Sequence, residues 1–301
     1  MPKKTRKNGR IKPLNVIWII ILIAAVAFSY FFKDQIAETF GFDAEAEHLA
    51  VHIIDVGNAD SVLVTNEGQN MLIDAGENKN AGKIIEYLKE QGVEKIDIVI
   101  ATHPHADHIG GMKKVIEAFD VGIILMAPMP EGSEPTSATY KNLLEAIKNK
   151  GLKITKATVG GKYMLGNAEI ELIGPQGDYK DPNNQSIVMK LTYGETKFLF
   201  MGDAEAKAES AILAANTNIS ANFIKIGHHG SKSSSQEKFI EKVKPDIAVM
   251  TCGEGNSYGH PSKETVDLLE KMNIKYYRSD LNGNIVVLSD GRSLEVIKEK
   301  G

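Results

Sequence analysis

The sequence has one cysteine in 301 residues, Cys252. No internal disulfide can form, and no cysteine near the N-terminus could carry a lipid anchor. Cys252 follows the strand-like run Ile247 to Thr251 and reads as a small buried residue. Tryptophan is equally scarce, with Trp18 alone. The first twelve residues contain no acid, and beyond residue 47 there is no low-complexity tract and no long run of proline or serine. Histidine is sparse, with eight in all and none between His108 and His228. Basic residues are in deficit past the N-terminus: 29 Lys and Arg stand against 39 Asp and Glu after residue 12. A domain built to grip duplex nucleic acid is normally basic. Such a grip is excluded here unless the bases concentrate around one site.

The N-terminus holds charge of one sign and then none. Lys3, Lys4, Arg6, Lys7, Arg10 and Lys12 precede Val16 to Phe32, seventeen residues without a charge. A spanning helix needs about 17–25 such residues, and Trp18 and Tyr30 lie where interface aromatics belong. The basic cluster keeps the N-terminus in the cytoplasm and places the rest outside. Ala44-Glu45-Ala46 resembles a signal-peptide cleavage site, but it lies well past the apolar run and among acids, which favours an uncleaved anchor. The expected organisation is a basic cytoplasmic terminus over 1–14, a single transmembrane anchor over 15–32, a polar linker over 33–47 and one large extracytoplasmic domain over 48–301. That last length fits a single α/β domain with an ample core.

Within the domain, strand and helix patterns alternate. Leu49 to Val56, Ser61 to Thr65 and Asn70 to Asp74 read as strands. Lys79 to Gln91 has helical spacing, with Ile84, Ile85 and Leu88 on one stripe. Ile96 to Ala101 is a buried strand, Met112 to Phe119 a helix, Val121 to Met126 a strand and Thr139 to Lys150 an amphipathic helix. Leu152 to Ile173 gives edge strands around a Gly160-Gly161 turn. A second β-rich half is expected from Ser186, with strands Ile187 to Tyr193 and Lys197 to Met201. Helix Ala204 to Ala215, strand Phe223 to Ile226, helix Gln236 to Val243, strand Asp246 to Thr251 and helix Lys263 to Met272 follow. Asn282-Gly283 fits a type I′ turn and predicts a closing hairpin.

Three of the eight histidines fall in Thr102-His103-Pro104-His105-Ala106-Asp107-His108. This stretch leaves the buried strand Ile96 to Ala101, where α/β folds place their chemistry. In an extended segment His103 and His105 project to one side, and after the turn Asp107 and His108 can face a second point. Neutral imidazole suits zinc, copper, iron and nickel, and carboxylate adds manganese. Asp203 ends the apolar strand Phe198 to Met201 and could also cap the helix that follows. His228 and His229 leave the strand Phe223 to Ile226. Adjacent side chains there diverge, so one of them reaches the site. Gly230 and Ser231 allow backbone N–H groups to approach a phosphate. His260, on Tyr258-Gly259-His260-Pro261, is either a ligand or a proton donor to a leaving oxygen.

The HxHxDH stretch, with Leu72-Ile73-Asp74-Ala75-Gly76 before it and Phe200-Met201-Gly202-Asp203 after it, resembles the metallo-β-lactamase superfamily. Asp55-Val56-Gly57-Asn58-Ala59-Asp60-Ser61, Gly227-His228-His229-Gly230-Ser231 and Tyr258-Gly259-His260-Pro261 are similar to the soluble domain of ComEC-type competence proteins. The resemblance covers Leu49 to Val296. It implies a four-layer αββα sandwich, which periodicity alone does not separate from other α/β layer folds. It implies two divalent ions, zinc or manganese, held by His103, His105, Asp107, His108, Asp203 as the bridging carboxylate, and His228. Asp107, His229 and His260 are the expected catalytic groups. Asp74 would orient the metal loop from behind. Asp60 either faces the cleft or serves turn chemistry. His48 and His52 fall outside the pattern. Many two-metal members carry a further histidine between the HxHxDH loop and the bridging Asp. This chain has Asn183-Asn184-Gln185-Ser186 there, with Asn184 the nearest substitute, so the His103/His105 ion has a poorer ligand set.

The resemblance thus implies a membrane-anchored extracytoplasmic hydrolase that cleaves a phosphodiester, with DNA first in line, through a metal-activated hydroxide. The acidic domain keeps an alternative open: a cell-envelope phosphodiesterase or small-ester hydrolase of phosphocholine-esterase type. An anchored binding module without catalysis is a third reading, and the retained ligand set argues against it. The full competence proteins also carry a multi-helix channel, so DNA uptake by this chain alone is not expected. No obligate protein partner is expected.

Overall fold

The computed structural model describes residues 48–301. The anchor expected over 15–32, the terminus over 1–14 and the linker over 33–47 lie outside the described residues. Among the described residues, no helix is long and apolar enough to cross a membrane.

The chain lays down one sheet, then a second, then returns to the first. Strands β1 (Leu49–Ile53), β2 (Val62–Asn66), β3 (Gln69–Ile73), β4 (Lys95–Ala101), β5 (Asp120–Met126) and β6 (Ile154–Lys156) belong to the first sheet. Strands β7 (Lys162–Leu165), β8 (Ala168–Gly174), β9 (Val188–Tyr193), β10 (Thr196–Phe200), β11 (Phe223–Lys225), β12 (Ile247–Met250) and β13 (Lys275–Arg278) form the second. Then β14 (Ile285–Ser289) and β15 (Leu294–Lys298) close the first sheet, in the order β15-β14-β1-β2-β3-β4-β5-β6. The second sheet has the order β13-β12-β11-β10-β9-β8-β7.

Alternation along the strands sorts side chains between layers. Met71, Ile73, Ile98 and Ile100 face inward and meet Phe198, Phe200, Phe223 and Met189 of the other sheet in one core. Phe198 and Phe223 are fully buried there with ring centroids 5.5 Å apart. Truncating either to alanine costs about 3–5 kcal/mol. The outward residues Leu72, Val99 and Ala101 pack on three helices, α1 (Ala81–Glu90), α3 (Met112–Ala118) and α4 (Ala138–Asn149); a single turn, α2 (Ala106–Ile109), lies between the first two. On the far side Leu199, Ile224 and Ala248 pack on α5 (Ala206–Ala214), α6 (Glu237–Val243) and α7 (Lys263–Lys271). The result is a four-layer αββα sandwich. Ser137 caps α4 by accepting from the Tyr140 N–H at 3.2 Å, and Ser262 caps α7 by accepting from Thr265 N–H at 3.2 Å.

Gly160-Gly161 turns the chain between β6 and β7, the edge strands of the two sheets. Two expectations fail in the same way. The second half begins at Lys162, not Ser186, and the β7–β8 turn falls at Gly166-Asn167. Asn282-Gly283 is not a hairpin turn. Asn282 ends a short helix, α8 (Ser279–Asn282), and Gly283 follows as its cap while the chain crosses from β13 to β14. The closing hairpin joins β14 to β15, where the Asp290 carboxylate accepts from the Arg292 and Ser293 N–H groups at 2.8 and 2.7 Å.

Both sheets contain a parallel block. β3, β4 and β5 run parallel in the first, and β10, β11 and β12 in the second. Asp74, the His103–His108 stretch, Asp203, the His228-His229 pair and Thr251 therefore all follow C-terminal strand ends.

Candidate metal centre

The first sheet supplies a braced histidine loop. Asp74 leaves β3 fully buried, in a left-handed conformation with φ 57°. One carboxylate oxygen accepts from Thr102 N–H at 2.9 Å, and the other accepts from Thr102 Oγ1 at 2.6 Å and lies 2.7 Å from His108 Nδ1. Asp74 thus holds the His108 proton on Nδ1 and leaves Nε2 as a free lone pair. His103, buried beside it, places Nε2 3.0 Å from His105 Nδ1 and 3.7 Å from Asp203 Oδ2.

The second sheet supplies the opposing groups. Gly202, at φ 52°, makes the turn into Asp203, and a β-carbon there would press on Ser186 and Thr102 at 3.1 Å. The buried Asp203 sends Oδ2 to 3.2 Å from His108 Nε2. His228 and His229 both adopt left-handed backbone, φ 48° and 52°. Two consecutive non-glycine residues hold that conformation only where their surroundings fix it. The kink turns His229 inward: Nδ1 donates to the Thr251 carbonyl at 3.0 Å, and Nε2 lies 3.3 Å from Asp107 Oδ2 and 3.8 Å from Asp203 Oδ2.

Two groups of ligand atoms result, with Asp203 in both. Asp107, His108, Asp203 and His229 form one, and His103, His105 and Asp203 the other. Asp60, Asp74 and His108 also cluster, but Asp74 and Asp60 already serve His108 and His229 from behind. The donor set fits a divalent cation. His108 Nε2, His229 Nε2 and Asp203 Oδ1 are all buried without a hydrogen-bond partner, an arrangement that costs free energy unless something charged satisfies it.

The electrostatics point the same way. Burial opposes charge on His229, but Asp203 and Asp60 outweigh it and push its pKa up to about 9. Burial likewise disfavours His108 charge, and Asp203 and Asp74 overcome it. Burial raises Asp107, but the close approach of His229 and the charge of His108 bring it down to about 2. The pocket therefore demands positive charge, and a cation can take the place of the two protons. Burial and the neighbouring His108 hold His103 neutral, as a ligand must be.

The placement departs from expectation at His228. It is His229 that joins Asp107, His108 and Asp203; the kink swings His228 outward, with Nε2 3.9 Å from Asp203 Oδ2. His228 Nδ1 instead meets Glu205 Oε1 at 3.0 Å, and Ser233 Oγ donates to the same oxygen at 2.8 Å. Asn184 does not face the His103/His105 group. Its oxygen accepts from Ala208 N–H at 2.9 Å, and its amide donates to Asp181 at 2.5 Å and toward Glu205 at 3.4 Å. Ser231 Oγ pairs with Ser233 Oγ at 3.0 Å and supports the same loop. His260 brings its ring to 5.4 Å from that of His228, with Nδ1 buried and unpartnered. His52 lies in β1, its Nδ1 3.0 Å from the Tyr87 hydroxyl.

Sequence reasoning missed Glu205, Lys225 and Thr251. Asp60 shows why they matter. Its Oδ1 accepts from Thr251 Oγ1 and lies 3.3 Å from His229 Nδ1, while its Oδ2 lies 2.5 Å from Lys225 Nζ. Lys225, on the inward face of β11, is 2% exposed. The contact is a close ion pair without an in-line hydrogen bond. Burial would raise the Asp60 carboxyl, but Lys225 and His229 hold it below the usual carboxylate range. In the sequence, Lys225 interrupts an apolar strand, which is a weak signal at best.

The chain is similar to several known proteins. The sequence pattern described as "Metallo-beta-lactamase superfamily" matches residues 54–254. The chain is 29% identical over 256 residues to ComE operon protein 3 of Bacillus subtilis, covering 78% of this chain and 32% of that protein. It is 27% identical over 237 residues to competence protein ComA of Neisseria gonorrhoeae, covering 78% and 31%, and 25% identical over 293 residues to recombination protein 2 of Haemophilus influenzae, covering 95% and 33%. The chain thus spans about a third of the length of these relatives. Among solved structures, the metallo-beta-lactamase fold protein YhfI from Bacillus subtilis superposes with a TM-score of 0.55 at 11% identity, over 81% of this chain and all of that one. Tm1679, a metal-dependent hydrolase of the beta-lactamase superfamily, superposes at 0.51 with 15% identity, over 76% of this chain and 95% of its own. With more than half of its length matched, and its histidines set at the strand ends of an αββα sandwich, the chain belongs to the metallo-beta-lactamase superfamily.

Proposed function

We propose that the chain is a metal-dependent phosphodiesterase, with nucleic acid as its first substrate class, held outside the cytoplasm by an anchor over residues 15–32. The observation that carries this reading is the convergence of three orphaned buried atoms, His108 Nε2, His229 Nε2 and Asp203 Oδ1. Asp107, His108, Asp203 and His229 would hold one divalent ion, and His103, His105 and Asp203 a second, zinc or manganese. Such ions supply Lewis acidity toward a phosphoryl oxygen and lower the pKa of water.

The chain's own residues do the rest. Asp74 and the Thr251 carbonyl fix the ring tautomers of His108 and His229. Glu205 and Ser233 fix His228 Nδ1, so that its Nε2 faces Asp203. His260 stands at the rim with Nδ1 free to carry a proton toward a leaving oxygen. The names of the competence relatives favour DNA. The excess of acids favours a second reading, a small envelope phosphodiester or ester, because duplex binding draws on basic surface.

The test is a metal-supplemented panel on the full chain with single-stranded DNA, duplex DNA, a small aryl phosphodiester and an aryl ester. Phosphodiester cleavage that Asp203→Ala abolishes together with bound metal, at unchanged circular dichroism, supports the reading. Turnover of the ester alone refutes it.

A further inference from the structure

Six large apolar side chains stay exposed among the described residues, and Tyr258 is the most open at 72%. It is also the one that touches the site. Its ring lies 5.9 Å from that of His260 at an interplanar angle of 25°, and His260 lies 6.3 Å from His229 at 25°. Three near-parallel rings therefore lead from solvent to the group formed by Asp107, His108, Asp203 and His229. Among the described residues, no ring but that of His260 lies against Tyr258.

The loop that presents this ring is braced rather than loose. Asn256 accepts from the His260 N–H at 3.0 Å and donates to the Gly253 and His260 carbonyls at 2.8 and 2.6 Å. Ser262 N–H donates to the Gly230 carbonyl at 2.9 Å. Gly230 sits so close under Pro261 that a β-carbon there would reach its ring at 2.7 Å. The Tyr258 loop and the His228-His229 loop thus form one unit. An exposed aromatic held parallel to a site histidine by a braced loop loses little rotamer freedom on taking a further ring.

We propose that Tyr258 is a stacking platform for an unpaired base, and that the substrate is single-stranded nucleic acid entering the site along this ladder. The proposal rests on the phosphodiesterase reading. Stacking draws on a ring face rather than on charge, and is sequence-tolerant because every base has one. A duplex offers no free base face and is held through its phosphates, which the 39 acids against 29 bases after residue 12 oppose. Lys232, exposed between Ser231 and Ser233 and without an ion-pair partner among the described residues, leaves one cation near the same loop for a backbone phosphate.

The test is fluorescence anisotropy of a labelled single-stranded oligonucleotide with the manganese-loaded full chain, beside an abasic strand of equal length. Tyr258→Ala should weaken binding of the normal strand by roughly 5- to 150-fold, and Tyr258→Phe and Tyr258→Trp should restore it. The abasic strand should bind wild type and Tyr258→Ala equally weakly. The platform is overturned if Tyr258→Ala binds like wild type, if Tyr258→Phe is as weak as alanine, or if wild type binds the abasic strand as well as the normal one or binds neither. Wild-type turnover of a small aryl phosphodiester is read in parallel. If that turnover persists while strand binding is indifferent to Tyr258, the platform fails alone. If it is absent from metal-loaded protein, the phosphodiesterase reading fails, while the binding comparison still decides the platform.

Discussion

Lys225 and Asp60 form an ion pair out of reach of water, and its removal has a calculable cost. Both residues are buried, at 2% and 4% exposure, so solvent screening gives no discount. Breaking such a pair by removing one partner costs about 3–5 kcal/mol, because the other charge stays buried alone. The two single variants should differ. In Lys225→Met, Asp60 keeps the Thr251 hydroxyl and His229 Nδ1, so the loss should fall at the low end, about 3 kcal/mol. In Asp60→Asn, Lys225 keeps no anion within contact among the described residues and His229 loses a neighbouring negative charge while keeping the Thr251 carbonyl, so the loss should approach about 5 kcal/mol. A domain of this size shifts its melting temperature by about 2–4 °C per kcal/mol. Lys225→Met should therefore melt about 6–12 °C lower in a calorimetric scan of metal-free protein. The double variant should recover part of the sum, with a coupling of about 2 kcal/mol or more. If the double variant loses the full sum of the singles, the pair is not coupled and the account of Asp60 is wrong.

Other expectations follow from the site and its surroundings. The His103, His105 and Asp203 group has fewer protein ligands than its neighbour, and Asn184 is committed elsewhere; calorimetric titration of stripped protein should therefore resolve two unequal manganese affinities, and two equal tight sites would contradict this. His260→Ala should lower the rate by roughly 10²–10⁴ with metal content unchanged, and less for substrates whose leaving group needs no proton; loss of metal instead would make His260 a ligand. Burial pushes Glu209 up to about 7, against the N–H groups of Ser235 and Gln236 that it accepts from. An acid raised on folding keeps its proton in the native state, so its contribution falls as pH climbs from the unfolded value, about 4.3, through 7. Glu209→Gln should flatten the fall in melting temperature between about pH 5 and 7, and an unchanged slope would assign the effect to another group.

The succession of strands and helices was legible because side-chain alternation and helical stripes are local properties of sequence, while the αββα layering came from the family resemblance. Met71-Leu72-Ile73 reads as a two-sided strand and is one. Sheet membership is not local, and that is why Ser186 and Asn282-Gly283 misled: nothing in either stretch says which layer the next strand joins. The HxHxDH cluster announced itself by density. The order of His228 and His229 did not, because it depends on two left-handed residues whose conformation the Thr251 strand end and Glu205 enforce from far along the chain. Lys225 was invisible for a related reason. A lysine in an apolar strand has meaning only once Asp60, 165 positions earlier in the numbering, is placed against it.

The return of β14 and β15 to the first sheet has a consequence for the life of the nascent chain. β1 is hydrogen-bonded to β2 on one side and to β14 on the other, Leu49 opposite Ser289 and Ile53 opposite Ile285. All five of its residues are buried. Until the ribosome has released residue 289, one edge of this apolar strand has no partner, and an open hydrophobic edge is where strangers pair. The first sheet is begun first and finished last. A chaperone that guards this protein during synthesis should hold it until its final hairpin emerges, and a chain cut short before Ile285 should aggregate through β1 even with every histidine of the site in place.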